Sequence, residues 1–297
     1  MQRKIIIFLI TLAATLTASA RSLELPPLPA DLHTDAQRDE FMAMHFWDRL
    51  DFADTIRSLD PQLIDGAFSY YATILHRSPD SVRTASVDTL LSRAASVPSA
   101  YMLMLETARA HLYSPDSPVF SEDIYLAFLD FVFARGDDSD IDRMIRDDIM
   151  RNRPGTPAAD FTFATADGGT STALDPEGRS RTLLVFYDPD CDTCHHLIGR
   201  LRSTAALQTA VATAALRVVL VYIGDDRDLW LRDAASLPDD WTIGIDDCGM
   251  VEDADLYVIR NTPSVYLIDR DGTVMLKEPA FDVLVEQLSE GASHHSD

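Results

Sequence analysis

Hydrophobic residues recur along the first half of the chain at helical spacing and along the second half mostly in short β-type runs. Asp35 to Leu50 carries Phe41, Met44, Phe46, Trp47 and Leu50, and Pro61 to His76 carries Ile64, Phe68, Tyr71 and Leu75. Positions three or four apart share one helix face, so both stretches predict amphipathic helices. A third helix is expected over Ser81 to Ala95 and a fourth over Pro98 to Tyr113. Ser121 caps a fifth, with Ile124, Phe128, Phe131 and Val132 inward and Gly136 ending it. Ser139 caps a sixth, with Ile141, Met144, Ile145 and Ile149 on one face. These Met and aromatic stripes read as core, and His45, His76 and His111, each alone in its pattern, as packing or surface residues. No repeat period suggests a solenoid.

Arg153-Pro154-Gly155-Thr156-Pro157 stops the sixth helix and begins a different pattern. Short strands are expected at Phe161 to Ala164, Thr170 to Leu174, Leu183 to Tyr187, Leu216 to Ile223, Trp241 to Ile245, Val265 to Ile268 and Val274 to Lys277. Helices are expected after Cys191 and over Asp225 to Ala235, Glu252 to Arg260 and Phe281 to Leu288. The domain plan is therefore a segment 1–20, an extended proline-bearing leader 21–34, an all-α helical domain 35–152, an α/β domain 153–291 and a disordered tail 292–297 holding His294 and His295.

The chemistry sits in Leu183-Leu184-Val185-Phe186-Tyr187-Asp188-Pro189-Asp190-Cys191-Asp192-Thr193-Cys194. A buried strand ends at Asp-Pro-Asp and feeds a helix with Cys194, Leu197, Ile198 and Leu201 on its inner face. Cys191 and Cys194, at i and i+3, lie on one side of that helix and can close a small disulfide ring. The first stands at the helix N-terminus, where unpaired N–H groups and the dipole favour thiolate. A strand feeding a helix that opens on Cys-x-x-Cys is the local pattern of a thioredoxin-like redox site. Three other readings compete. Two cysteines that merely pack or form a static disulfide ignore the context. Haem attachment through Cys191-Asp192-Thr193-Cys194-His195 belongs in small helical domains. Zinc on the cysteines with His195 or His196 lacks further ligands at a suitable spacing, so no metal or other cofactor is expected. Cys248 has no partner at this spacing and reads as a free or half-buried thiol.

Met1 to Ala20 has Arg3 and Lys4, an apolar core Ile5 to Leu16 and Ala18-Ser19-Ala20, the order of a secretory signal. No cysteine follows to take a lipid, and the apolar run is short for a membrane span, so the mature chain is expected to be exported, soluble and unanchored. Three cysteines in an exported chain are too few for a disulfide framework and favour redox chemistry. With 48 acidic against 25 basic residues the formal charge is −23, which argues against nucleic acid or anionic lipid as partner.

The residues from Pro157-Ala158-Ala159-Asp160-Phe161 through Cys191-x-x-Cys194, Thr262-Pro263 and the Asp269 to Gly272 turn resemble the TlpA/ResA-type thioredoxin-like oxidoreductases over nearly half the chain. The helical half, with His45-Phe46-Trp47-Asp48 and Leu112-Tyr113-Ser114-Pro115-Asp116-Ser117-Pro118, resembles an uncharacterised domain found ahead of such domains. The resemblance implies a central mixed sheet flanked by helices, and an exchange of disulfides with exported protein substrates. Cys191 and Cys194 form its redox pair and an upstream electron donor recharges it. It further implies a cis Pro263 facing that pair, with Thr262 holding substrate backbone in β fashion. The chain departs from the family at Val185 and Leu197, where acids stand in thioredoxin and in ResA-type members, and at Asp190 and Thr193, where an aromatic and a proline are usual. Asp188, Asp192, His195 or His196 is then left to take the proton of Cys194. Asp190 and Asp192 flank Cys191 with like charge, which raises a thiol pKa and predicts a reducing couple, below about −200 mV and nearer thioredoxin than DsbA. A thiol peroxidase is the enzymatic alternative, though Asp188 stands where its threonine would precede Cys191. A non-enzymatic binding module on a thioredoxin-like scaffold is the other.

Overall fold

The computed structural model describes residues 22–293; residues 1–21, where the secretory signal is expected, and 294–297, which hold His294 and His295 of the expected tail, lie outside the described residues. The chain forms two compact units that divide between Asp138 and Ser139.

The first unit is helical: α1 Asp35–His45, α2 Thr55–Ser58, α3 Pro61–Arg77, α4 Asp80–Ala94, α5 Pro98–Leu112 and α6 Glu122–Arg135. Local chemistry sets the ends. Thr34 and Gln37 make a reciprocal capping box on α1, Asp60 caps α3 ahead of Pro61, and Ser121 caps α6. Gly136, at φ 72°, ends α6 in the left-handed conformation that glycine adopts without cost. Phe46, Trp47, Phe68, Tyr71 and Phe128 fill the core. Within it Tyr71 Oη donates to Ser86 Oγ, which donates to the Ala43 carbonyl, each at 2.5 Å, so the buried hydroxyls are satisfied. The three helical histidines are engaged: His45 with Asp48, His76 with the Val119 carbonyl, and His111 with Asp65. Residues 22–34 form no regular element apart from a turn near Ala30.

The second unit opens with α7 Asp140–Met150. The helical pattern places this helix with the α-domain, but its contacts place it with the sheet. Lys277 Nζ donates to the carbonyls of Asp148, Ile149 and Arg151 at 3.0–3.3 Å, which caps the C-terminus of α7. Asn152, buried and at φ 48°, donates to the Leu256 carbonyl at 2.6 Å and accepts from Ala159 N at 2.9 Å. Of the expected inner face only Ile145 and Ile149 are buried, while Ile141 and Met144 are about half exposed, at 52% and 58%.

The sheet comprises β1 Thr162–Thr165, β2 Thr170–Thr172, β3 Arg181–Tyr187, β4 Leu216–Tyr222, β5 Thr242–Ile245, β6 Ser264–Ile268 and β7 Val274–Lys277. Its order is β2-β1-β5-β4-β3-β6-β7. β3, β4 and β5 run parallel, and β1, β6 and β7 pair antiparallel to their inner neighbours. Helices α8 Asp192–Ser203, α9 Ala205–Ala212, α10 Arg227–Ala234, α11 Met250–Asp253 and α12 Phe281–Ser293 connect or close it. β3 is buried on both faces. Leu183, Val185 and Tyr187 pack with Cys194, Ile198, Leu201, Trp230 and Leu284, while Leu184 and Phe186 pack with Phe161, Val219, Tyr257 and Tyr266 on the other face. Alternation along one strand thus serves two cores. Glu252 to Arg260 is not one helix. After the short α11, Asp255 turns at φ 50° and Tyr257 enters the core, its hydroxyl donating to the Ala159 carbonyl at 2.6 Å.

Candidate active site

β3 ends at Tyr187, and Asp188-Pro189-Asp190 turns the chain at the carboxyl edge of the sheet. Asp188 organises the turn, its carboxylate accepting from Asp190 N at 2.8 Å and its carbonyl from Cys191 N at 3.1 Å. Cys191 is then the N-cap of α8, and its sulfur accepts the Cys194 backbone N–H at 3.1 Å. A cap position is normally filled by an oxygen that accepts an orphan N–H. Here a sulfur does so, and the interaction strengthens when that sulfur is charged.

Three more groups close around Cys191. The Thr193 hydroxyl lies 2.9 Å from its sulfur, the Thr262 carbonyl 3.4 Å away, and the Cys194 thiol faces it from one turn into the helix. The Thr262–Pro263 peptide bond is cis. β6 pairs beside β3, Phe186 opposite Ser264, and this register brings the loop to Cys191. All four residues singled out in the sequence, Cys191, Cys194, Thr262 and Pro263, therefore meet at one edge of the sheet. Thr193 joins them; the sequence marks it only as a replacement for proline.

The two thiols stand in different surroundings. Burial pulls the Cys191 thiol upward, but hydrogen bonds from the Cys194 thiol, Thr193 and the Cys194 backbone outweigh it and hold Cys191 below the ordinary thiol value. This reverses the expectation drawn from Asp190 and Asp192, both of which are exposed. Cys194 is fully buried under α8; burial first, and the neighbouring Cys191 sulfur second, push it up to about 12. Both thiols are free in this structure, as is the exposed Cys248, which lies 3.4 Å from Asp246 Oδ1.

The residues expected to serve Cys194 as base are occupied or remote. Asp188 holds the turn and Asp192 is exposed. His195 Nε2 donates to the Pro189 carbonyl at 2.6 Å, which fixes its tautomer, and His196 is exposed. Val185 faces the Cys194 side of the sheet with a hydrocarbon where the family's acid would stand. Among the described residues, no group of three or more His, Cys, Asp or Glu side chains could hold a metal ion. No helix among them is long and apolar enough to cross a membrane.

Comparison with known proteins also divides the chain in two, but its first match runs on through α7 to residue 150. Residues 10–150 match a family model described as a domain of unknown function, DUF5106, and residues 172–281 match the thioredoxin-like domain model. A thioredoxin-like protein from Bacteroides caccae of known crystal structure is 25% identical, with 90% of this chain and 97% of that one covered at a TM-score of 0.82. A conserved protein of unknown function from Bacteroides fragilis is 33% identical over 46% of this chain and 98% of its own, at a TM-score of 0.43. The thioredoxin domain of a thiol-disulfide oxidoreductase from Bacteroides vulgatus is 18% identical over 48% of this chain and 98% of its own, at a TM-score of 0.39. No curated protein matches the chain.

Proposed function

This chain is a thioredoxin-like protein with an N-terminal DUF5106 domain, and we propose that it is an exported thiol–disulfide oxidoreductase working through Cys191 and Cys194. One observation carries the reading. Two cysteines one helical turn apart are split by their surroundings: Cys191 caps the start of α8 with its sulfur 3.4 Å from the Thr262 carbonyl at the cis Thr262–Pro263 bond, and Cys194 is fully buried. A static packing pair needs no such split, whereas an attacking and a resolving thiol do.

In the reducing direction the Cys191 thiolate attacks one sulfur of a substrate disulfide. The substrate S–S bond breaks, its other sulfur leaves as thiolate and takes a proton, and a mixed disulfide remains on Cys191. Cys194 then gives up its proton and attacks the Cys191 sulfur, and the second substrate sulfur leaves. The substrate has gained two electrons, and Cys191–Cys194 is now a disulfide that an upstream thiol donor must reduce. The surface at Thr262–Pro263 suits an extended polypeptide, because the Thr262 carbonyl already points at the reacting sulfur. The signal pattern at Met1 to Ala20 supports delivery to the periplasm, where protein disulfides are available as substrates.

Trapping tests the reading. Cys194→Ser should accumulate mixed disulfides with exported proteins through Cys191, dissolved by reductant on a gel. Cys191→Ser should trap almost nothing, and adding Cys248→Ser to the Cys194 variant should change nothing. Equal trapping by the Cys191 and Cys194 variants would reverse the roles or remove them.

A further inference from the structure

Resolution requires Cys194 to lose a proton, yet its thiol is buried and pushed up to about 12. On the reading above, something on the buried side must accept that proton, and Val185 and Leu197 leave no acid at either place where the family's acids stand. The core face that packs Cys194 holds an unusual group instead. Tyr187 Oη, Trp230 Nε1 and Asp233 Oδ2 are all buried and without a well-formed hydrogen bond. Buried polar atoms are paired in the great majority of cases, so three unpaired atoms on one core face call for a function. Tyr187 is 1% exposed and Trp230 0%, and both pack in the cluster that contains Cys194. Trp230 and Asp233 are one turn apart on α10, so both lie on one face of that helix, the face that buries Trp230 in the core.

Tyr187 Oη lies beside the Asp233 carboxylate, and its charge state responds to both Asp233 and Cys194. Asp233 in turn feels Tyr187 and His195. The groups bearing on the cluster are therefore Tyr187 and Asp188 from the end of β3, Tyr222 of β4 with its ring 6.4 Å from that of Tyr187, Cys194 and His195 from α8, and Asp233 from α10, with the Arg227 guanidinium 5.6 Å from the Trp230 ring. Burial holds the Asp233 carboxyl above the usual carboxylate range, which makes it a better proton acceptor than a surface aspartate. Tyr187 is shifted upward by burial and by Asp233, so it stays neutral and serves as a conduit.

We propose that Asp233, acting through the Tyr187 hydroxyl, accepts the proton of Cys194 during resolution. The Cys194 S–H proton passes to the tyrosine oxygen as the tyrosine proton passes to Asp233 Oδ2. Cys194 becomes thiolate, Asp233 becomes a neutral acid, and Tyr187 ends neutral as it began. Asp233 acts through Tyr187 and is a positioning residue that also stores the proton.

The test uses the reduced full-length protein and Ellman's reagent in stopped flow. The first thionitrobenzoate released reports attack by Cys191, and the second reports resolution by Cys194. Asp233→Asn and Tyr187→Phe should each slow the second release by about 10- to 100-fold near pH 7, the scale of one general-base contribution. In both variants the second rate should go on climbing with pH as solvent takes over the proton, while the pH profile of the first release stays in place. Should Asp233→Asn fail to fold, Tyr187→Phe carries the same test with no change of charge. A second release within twofold of wild type in the variants, or equal slowing of both releases, would overturn the proposal. Absence of a second release in the wild type would instead overturn the dithiol reading on which it rests.

Discussion

At the scale of single residues, the two thiols are separated by one helical turn and by most of their surroundings. Cys191 offers its sulfur to a backbone N–H and a threonine hydroxyl, and Cys194 lies under the helix with no exposed surface. The difference has a consequence for stability. The folded state keeps the Cys194 proton up to about 12, whereas an ordinary thiol loses it near 9.0. Between those values the unfolded chain has fewer bound protons than the native one, so this group lowers stability as pH rises. Reduced wild type should therefore lose stability relative to Cys194→Ser between pH 8 and pH 10, read as diverging urea midpoints; parallel midpoints would contradict the buried-thiol assignment. Cys191 and Cys194 were legible in the sequence because spacing and helix start suffice to identify them. Thr193 was not, because a hydroxyl becomes a partner only once the N-cap geometry turns it onto the sulfur. Asp233 was hidden for the same kind of reason: it lies 39 positions beyond Cys194 and reaches that neighbourhood only through the fold, one turn from Trp230, which packs in the core cluster of Cys194.

At the scale of elements, β3 decides where the site forms. Its residues are buried on both faces, and its end delivers the chain directly into the capping turn of α8. Such a strand reads clearly as an unbroken apolar run, and so do α3, α5 and α6, where capping residues mark the ends. The Glu252 to Arg260 stretch misleads because its polar and apolar spacing fits a helix, while the pull of Tyr257 into the core turns the backbone at Asp255. The alanine-rich α9 has too weak a periodicity to announce itself, although Leu207 and Ala210 bury there. β5, an interior strand between β1 and β4, shows how tightly the sheet is built. A β-carbon added at Gly244 would sit 2.0 Å from the Phe163 ring on β1. Gly244→Ala should destabilise the protein by about 1–3 kcal/mol through overpacking, measured by chemical denaturation. A neutral effect would mean that β1 moves freely against β5.

At the scale of the whole chain, the unit boundary falls before α7 rather than after it. Periodicity could not show this, since α7 is as helical as the helices ahead of it. Its allegiance is set by Lys277 and Asn152, whose bonds span more than 100 residues of sequence. A fragment of residues 139–293 should unfold cooperatively, and one of residues 156–290 should be less stable by about 2–5 kcal/mol. The shorter fragment loses the burial of Ile145 and Ile149 and leaves the partners of Asn152 unpaired. Equal urea midpoints would show that α7 is a passive linker. The account as a whole stands on Cys191 and Cys194 being a reversible couple, and equilibration of the full chain with glutathione buffers measures that directly. A single two-electron transition is predicted, abolished in Cys191→Ser and in Cys194→Ser and retained in Cys248→Ser. Its midpoint should lie below about −200 mV, since burial opposes the hydrogen bonds that lower Cys191, and a Cys194 thiol that resists ionisation adds little to the stability of the reduced form. No two-electron transition between about −350 and −100 mV would contradict the account, and a midpoint near about −120 mV would make the protein an oxidant instead.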